Sequence, residues 1–235
     1  LSSPKWRPQV IFLSGVTDCY QPVERKLKLT RRCLEVLAEF RNPVFIVTKN
    51  HLVTRDIDVL REVARHQAAA VWLSITTLDS ELRKIMEPRT SPPAARLAAI
   101  RELAAAGIPV GVNVAPIIPG RTDPEIPAIL KAAAEAGATS AGYTVVRLPY
   151  TVAPLFEKWL ETHFPERKEK VLNRLRAMRG GKLYDAQWGK RFSGEGIFSE
   201  QIAQMFEVAR RKAGIRNDSL ELSTASFRRA GDRQL

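Results

Sequence analysis

The chain has few of the residues that build disulfide frameworks and metal sites. Among 235 residues there are two cysteines and three histidines, and none stands at a metal-ligand spacing. Cys19 follows a predicted strand, whereas Cys33 lies within a predicted helix. The sequence therefore argues against a disulfide scaffold, and it offers no metal ligands of its own. A reduced, cytoplasmic protein is the simplest interpretation.

Long apolar runs and common cofactor fingerprints are missing as well. No segment approaches the roughly 20 consecutive apolar residues that a membrane span needs, and no charged-then-apolar leader opens the sequence. Neither a GxGxxG motif nor a Walker loop is present. The hydroxyl residues Ser74, Thr76 and Thr77 have no histidine near them in the sequence, which argues against a hydrolase triad. These absences remove membrane proteins and the commonest nucleotide-binding classes from consideration.

Apolar strand patterns alternate with helical patterns five times between residues 10 and 146. The first helical pattern covers Glu24–Phe40, and Asp79 is placed to cap a short helix with the sequence SELRKIM. This alternation is typical of a parallel α/β sheet or barrel. After Pro149 the pattern changes to helices alone. The predicted strands are Val10–Leu13, Val44–Thr48, Ala70–Ile75, Val110–Ala115 and Ser140–Val146.

Polar residues follow the predicted strands at the point where each strand ends. Because parallel strands place their carboxyl ends on one edge of a sheet, we expect these residues to share one site. Lys49 is the most informative of them, since a lysine there could form a Schiff base with a carbonyl substrate or anchor an anion. Asn113, together with Ala115 and Pro116, is suited to hydrogen bonding with a flat heterocycle.

A basic segment lies in the C-terminal part of the chain. The net charge is +12, and residues 165–191 contain nine Lys or Arg residues against three acidic ones. Tyr184, Trp188 and Phe192 are interleaved with these charges and would suit stacking on nucleic acid bases. A solvated helix surface explains the same composition. Both interpretations stay open at this level.

An ordered set of segments resembles one known family. SGVTDCYQPVERK begins at residue 14, FIVTKN at 45, VWLSITTLD at 71, MEPRTSPPAARLAAI at 86 and AGIPVGVNVAPIIPG at 106. In this order they resemble radical SAM proteins of the spore photoproduct lyase-like group, over roughly residues 9–213. The resemblance implies an enzyme that binds S-adenosylmethionine beside a [4Fe–4S] cluster and generates a 5′-deoxyadenosyl radical. A nucleic acid substrate would agree with the basic segment.

The same resemblance implies a fold and a domain plan. The fold would be α/β, a partial (β/α) barrel of the TIM type with parallel strands and a C-terminal helical appendage. We expect residues 1–150 to form the barrel portion without its first βα unit or units. Residues 151–214 would be a helical extension of the same domain, and 215–235 a tail.

The resemblance also assigns expected cofactor contacts. Thr17 matches a hydroxyl contact to the methionine moiety of S-adenosylmethionine, and Lys49 matches a lysine that contacts its carboxylate. Ser74 corresponds to a ribose or methionyl contact. Ala115 corresponds to a backbone contact with adenine. To these we add Arg147, which follows the fifth predicted strand.

The departures from the family pattern limit what can be carried over. The cluster-binding CxxxCxxC is absent, and Cys19 and Cys33 cannot replace three thiolate ligands. We therefore expect this chain to begin after the cluster loop and to be inactive alone. Gly15 stands where the lyase has its hydrogen-donor cysteine, so the substrate is left open. Two alternatives remain: a Schiff-base lyase that uses Lys49, and a non-catalytic nucleic-acid-binding protein.

Overall fold

Five parallel strands form the centre of the molecule. The computed structural model describes residues 1–184, 187, 190–216 and 221–229, and for residues 190 and 191 only the backbone. The strand order is β1-β2-β3-β4-β5, and every neighbouring pair is parallel. The expected α/β fold with parallel strands is therefore confirmed. The strands are β1 Ile11–Leu13, β2 Val44–Thr48, β3 Ala69–Ile75, β4 Val110–Ile117 and β5 Ser140–Val145.

Helices connect the strands and continue after the last one. Short 3₁₀ turns precede three of them, at His51–Asp56, Asp123–Glu125 and Pro165–Arg167. As predicted, the Asp79 carboxylate caps α4, accepting from the backbone N–H of Glu81 and Leu82. The helices in the described residues are α1 Glu24–Leu27, α2 Leu29–Phe40, α3 Ile57–Ala64, α4 Ser80–Met86, α5 Pro93–Ala105, α6 Ile126–Glu135, α7 Val152–His163, α8 Lys168–Ala177, α9 Lys190–Ser193 and α10 Ile197–Lys212.

The single helix predicted over Glu24–Phe40 is wrong, because the chain breaks at Lys28. This residue has φ +51°, in the left-handed region, and it separates α1 from α2. The buried Glu24 carboxylate explains the break, since it accepts from the backbone N–H groups of Leu29 at 2.9 Å and Thr30 at 3.1 Å. A side chain from the preceding turn thus satisfies free donors at the start of α2.

The two faces of the sheet differ in character. Side chains alternate along a strand, so residues paired in register share a face. The outer face packs under the helices and is buried along β2, β3 and β4, whereas most of its residues on the edge strands β1 and β5 are half-buried. On the inner face, Phe12 and Phe45 stack with ring centroids 5.5 Å apart, and Trp72 meets Phe45 edge-on at 5.6 Å. Gly142 leaves room for the indole, because a Cβ there would lie 2.7 Å from a Trp72 ring carbon.

The edge of the sheet at β1 carries an apolar groove. It has a volume of about 480 Å³ and is lined mainly by aliphatic side chains of β1 and α2. Phe12 and Leu29 are half exposed beside it. Within the described residues, β1 pairs with β2 on one side only.

The C-terminal helices lie against the carboxyl edge of the sheet. The Trp159 indole N–H of α7 donates to the Ile85 carbonyl at the end of α4. Arg179, just after α8, donates to the Val146 carbonyl that follows β5. Helix α10 packs on α6, and its Phe206 contacts Tyr143 of β5. These contacts close part of the edge where the strands end.

Part of the predicted tail, 215–235, packs against the opposite edge. The Ser223 N–H donates to the Gln67 carbonyl, and Arg228 donates to the carbonyls of Glu39 and Phe40. No helix among the described residues is long and apolar enough to cross a membrane.

Candidate functional site

Asp18 joins the loop after β1 to the end of β2. Its carboxylate accepts from the Thr48 hydroxyl at 2.8 Å and from the backbone N–H of Lys49 at 2.8 Å. It also accepts from the N–H of Tyr20, which closes a tight turn. The loop that carries Thr17 is thereby held beside Lys49. No second carboxylate or metal ligand accompanies Asp18 in the sequence, and these contacts give it a structural role.

Lys49 and Glu87 form an ion pair at the carboxyl edge. The Lys49 ammonium donates to Glu87 Oε1, and 27% of the lysine side chain is exposed against 8% of the glutamate. Glu87 follows α4 and lies in the EPRTSPP segment. The pair therefore presents one accessible cation that is backed by a buried carboxylate.

A second cation supports Glu87 from the protein interior. Arg96 of α5 is 1% exposed and donates to Glu87 Oε2 at 2.7 Å. It also donates to the carbonyls of Ser74 and Ser91, each at 2.8 Å. Burial opposes ionisation of the Glu87 carboxyl, but the charges of Lys49 and Arg96 outweigh it and hold the pKa of Glu87 below its ordinary value. The carboxylate is charged near neutral pH.

Three of the expected contact residues lie in one row on the inner face. Ser74 pairs in register with Asn113, and Val47 pairs with Trp72. Ser74 stands two residues beyond Trp72 in β3, and Lys49 stands two residues beyond Val47, just after the last residue of β2. The alternation of β2, continued by one residue, puts Lys49 on the same face as Ser74. Ser74 is buried, whereas Asn113 is half-buried. The fold thus places the three residues on one face, next to the carboxyl edge.

Ala115 is connected to this row through Thr76. The Thr76 hydroxyl lies 2.7 Å from the Ala115 carbonyl oxygen and 2.9 Å from Glu87 Oε1. Ala115 is buried and precedes Pro116 through a cis peptide bond. The backbone of β4 is therefore linked through Thr76 to Glu87, the ion-pair partner of Lys49.

A cavity of about 530 Å³ opens beside Lys49. Asp18, Gln21 and Asn50 line one part of its wall, and Arg89 and Thr90 line another. Its volume falls in the range that small-molecule sites occupy. Thr17 is exposed next to this wall, and its hydroxyl accepts from the Gln21 side chain at 2.6 Å.

Arg147 lies apart from the row. It follows β5, and its guanidinium stands over the Phe192 ring of α9 at 5.1 Å. Its Nε is buried and has no hydrogen-bond partner within the described residues. Sequence position alone suggested a cofactor contact; the structure places the side chain against the C-terminal helices.

Some of the cations in the basic segment 165–191 are occupied by contacts within the protein, so fewer of them are available to bind nucleic acid than the composition indicates. Arg179 is buried against Val146, and Arg174 pairs with Asp123 at 3.6 Å while covering the Phe198 ring. Both hold the C-terminal helices on the barrel. Trp188, predicted as a stacking residue, lies outside the described residues, and so do the side chains of residues 190 and 191.

An exposed tyrosine, Tyr150, contacts a half-buried one, Tyr184, beside this segment. Tyr150 is 88% exposed, and its ring centroid lies 6.2 Å from that of Tyr184. Lys182 is exposed nearby in sequence. Phe192, by contrast, has one face covered by Arg147. Of the stacking residues expected from the sequence, Tyr184 thus contacts the exposed Tyr150, and Phe192 contacts Arg147.

The residues present do not fit an iron–sulfur cluster. Only two cysteines occur in the sequence, and the described residues contain no group of three His, Cys, Asp or Glu side chains that could hold a metal ion. Burial raises the pKa of the Cys19 thiol to about 11, which opposes thiolate ligation. Cys33 is exposed on α2. The described residues therefore do not provide a binding site for an iron–sulfur cluster.

Comparison with known proteins identifies the class. The family model described as the Radical SAM superfamily matches residues 2–133. The chain belongs to this superfamily. The resemblance drawn from the ordered motifs is confirmed, and the parallel sheet agrees with the partial barrel of this class.

Among individual proteins, one relative is the uncharacterized protein Rv2578c of Mycobacterium tuberculosis, which is 34% identical over 168 residues. The aligned region covers 71% of this chain and 49% of that protein. Spore photoproduct lyase complexed with dinucleoside spore photoproduct superposes with a TM-score of 0.61 at 16% identity, covering 87% of this chain and 58% of that one. A lyase variant with bound AdoMet and the same dinucleoside gives a TM-score of 0.57, also at 16% identity and the same coverage. The chain spans about half the length of the curated relatives it matches.

Sequence reasoning missed Glu87 and Arg96. Both belong to the segment MEPRTSPPAARLAAI, which supported the resemblance without any role being assigned to its charges. A glutamate and an arginine nine residues apart across a proline-rich loop give no periodic signal. The two side chains meet because the loop after α4 folds back towards the end of β2.

Proposed function

We propose that this chain is the S-adenosylmethionine-binding part of a radical SAM enzyme. The Lys49 ammonium would bind the methionyl carboxylate, and the Thr17 hydroxyl would contact the methionine moiety. Ser74 would contact the ribose or methionyl part. Asn113 and the Ala115 backbone would bind the adenine. The observation that carries the proposal is the accessible Lys49 cation, placed in one inner-face row with Ser74 and Asn113 in a member of this superfamily.

The chemistry of the proposed cofactor is a source of radicals. Bound S-adenosylmethionine would supply a 5′-deoxyadenosyl radical, which members of this superfamily obtain with the help of a [4Fe–4S] cluster. The residues of this chain bind and orient the cofactor; the cluster ligands would come from a CxxxCxxC segment outside residues 1–235. The Glu87 contact favours an ionic role of Lys49 over a Schiff base, which requires an uncharged amine.

The binding proposal is tested on the 235-residue chain with radiolabelled S-adenosylmethionine in equilibrium dialysis. We expect saturable binding that Lys49→Met weakens at least about tenfold, since charge-assisted hydrogen bonds contribute about 1.5–3 kcal/mol. Lys84→Met is the matched control, because Lys84 forms an exposed ion pair with Glu81 on α4. Equal binding by Lys49→Met and the parent chain would reject the proposal.

A nucleic acid substrate is the second part of the proposal. The exposed Tyr150 lies between β5 and α7, and its ring contacts the half-buried Tyr184. Aromatic rings beside cations suit stacking on unpaired bases. The structurally similar lyase is described with a bound dinucleoside photoproduct. The non-catalytic nucleic-acid-binding alternative uses the same surface and differs only in lacking the cofactor.

A further inference from the structure

One carboxylate connects the two ends of the proposed cofactor site. Glu87 accepts from Lys49 on one side, and on the other the Thr76 hydroxyl lies 2.9 Å from Glu87 and 2.7 Å from the Ala115 carbonyl. Arg96 fixes the second carboxylate oxygen from the interior. A continuous set of contacts thus runs from the expected carboxylate anchor to the expected adenine contact.

We propose that Glu87 is a positioning residue: it holds the Lys49 ammonium in place for the carboxylate of S-adenosylmethionine and so sets the preference for ligands that carry this carboxylate. The inference rests on the proposed function, because it assigns a role within the same site. The family resemblance assigned no role to Glu87, so its part in ligand selection is new.

The charges of Lys49, Arg96 and Glu87 together leave one positive charge for a ligand. Arg96 is 1% exposed and neutralises Glu87 from behind, whereas Lys49 is the most accessible of the three. The Asp18 carboxylate does not pair directly with the ammonium: its hydrogen bonds within the described residues come from the Thr48 hydroxyl and from backbone N–H groups. Two cations and one anion therefore give a net charge of +1 at Lys49.

The geometry lets Lys49 serve two carboxylates together. An ammonium has three N–H donors, so one can remain on Glu87 while the others reach a ligand. Glu87 keeps Arg96 as a partner throughout, and no buried carboxylate is left unpaired. Without Glu87, the flexible four-carbon lysine stem would have to be ordered by the ligand itself, at a cost in side-chain entropy.

The experiment compares two ligands that differ only in the carboxylate. Dissociation constants are measured by equilibrium dialysis for S-adenosylmethionine and for decarboxylated S-adenosylmethionine, with the parent chain, Lys49→Met and Glu87→Gln. We expect the parent to prefer the carboxylate-bearing ligand about tenfold or more and Lys49→Met to lose the preference. Glu87→Gln should reduce the preference at least about threefold, while its affinity for the decarboxylated ligand changes less than about twofold.

The possible results separate this inference from the function on which it rests. If Glu87→Gln weakens both ligands equally, Glu87 only supports the fold and the inference is wrong. If Glu87→Gln binds S-adenosylmethionine more tightly, the ion pair competes with the ligand and the inference is also wrong. If the parent chain shows no preference, the Lys49 contact itself is refuted, and with it the proposed function.

Two further variants keep the test decisive. Glu81→Gln is the matched control on α4, where the exposed pair with Lys84 is removed and the preference should stay unchanged. Should Glu87→Gln fail to fold, Glu87→Asp keeps the charge beside Arg96 but is one methylene too short to hold both cations. We expect Glu87→Asp to lower the preference as well; an unchanged preference would contradict the proposal.

Discussion

At the scale of single residues, two cations that pair with the same carboxylate have different roles because their exposure differs. Lys49 and Arg96 both contact Glu87, yet one is accessible and the other is buried. The accessible cation suits a ligand, and the buried one supports the loop after α4. The expected contacts Thr17, Lys49, Ser74, Asn113, Ala115 and Arg147 were assigned from strand ends and resemblance, and their ligand roles remain predictions.

The two cysteines should differ in reactivity. Because burial raises the pKa of the Cys19 thiol to about 11, about one Cys19 thiol in a thousand is ionised at pH 8. Cys33 is exposed. We expect iodoacetamide at pH 8 to modify Cys33 first, as measured by mass spectrometry of tryptic peptides. Equal labelling in urea is the control, and equal rates in the folded chain would contradict the burial of Cys19.

At the scale of elements, the alternation of strands and helices could be predicted from periodicity, whereas the break at Lys28 could not. The predicted helix begins too early because Leu27 of α1 falls in phase with the apolar residues Leu34, Leu37 and Phe40 of α2. What divides them is the Glu24 carboxylate, held by Arg55 from a turn 31 residues later. Glu87 escaped prediction for the same reason, since its partners are distant in sequence.

The Glu24 cap gives folding a dependence on pH. Burial opposes its ionisation, but the Arg55 guanidinium and the N–H groups of Thr30 and Arg31 hold the pKa of Glu24 below its ordinary value. A depressed pKa in the folded state stabilises the protein above the unfolded pKa, and this stability is lost as pH falls through the folded pKa. We expect Glu24→Gln to lower the free energy of unfolding at pH 7 by about 1.5–3 kcal/mol.

Urea unfolding at pH 7 and at pH 3 measures this effect. The difference between Glu24→Gln and the parent chain should be smaller at pH 3 than at pH 7, because the charged cap is lost progressively as pH falls through the folded pKa of the carboxyl. Glu35→Gln is the control on α2, because Glu35 forms an exposed pair with Arg31 and should shift stability by less than about 0.5 kcal/mol. A difference that is the same at both pH values would show that Glu24 does not act as a charged cap.

At the scale of the whole molecule, the barrel and the C-terminal helices meet at the edge where the strands end. Sequence composition suggested that the basic segment was an open surface, but Arg174 and Arg179 attach the C-terminal helices to the barrel. Within the described part of the segment, Arg167, Lys170 and Lys182 stay exposed, and the half-buried Tyr184 contacts the exposed Tyr150. Composition could count the charges, but only packing shows which of them are available.

Binding of a single-stranded oligonucleotide should therefore depend on salt and on Tyr150. Fluorescence anisotropy should show affinity falling as salt rises, and Lys182→Gln should reduce the slope of log K against log salt by about 0.7. Tyr150→Ala should weaken binding about 10-fold or more through lost stacking. Lys131→Gln, an exposed change on α6, is the control. Affinity that does not change with salt would exclude this interface.

The central claim, that S-adenosylmethionine binds at the carboxyl edge through Lys49, is tested most directly by a crystal structure of the chain with this cofactor. We predict the methionyl carboxylate within about 3 Å of Lys49 Nζ, with the Lys49–Glu87 contact retained and the adenine beside Ala115. Cofactor bound elsewhere, or bound at this edge with its carboxylate away from Lys49, would contradict the account.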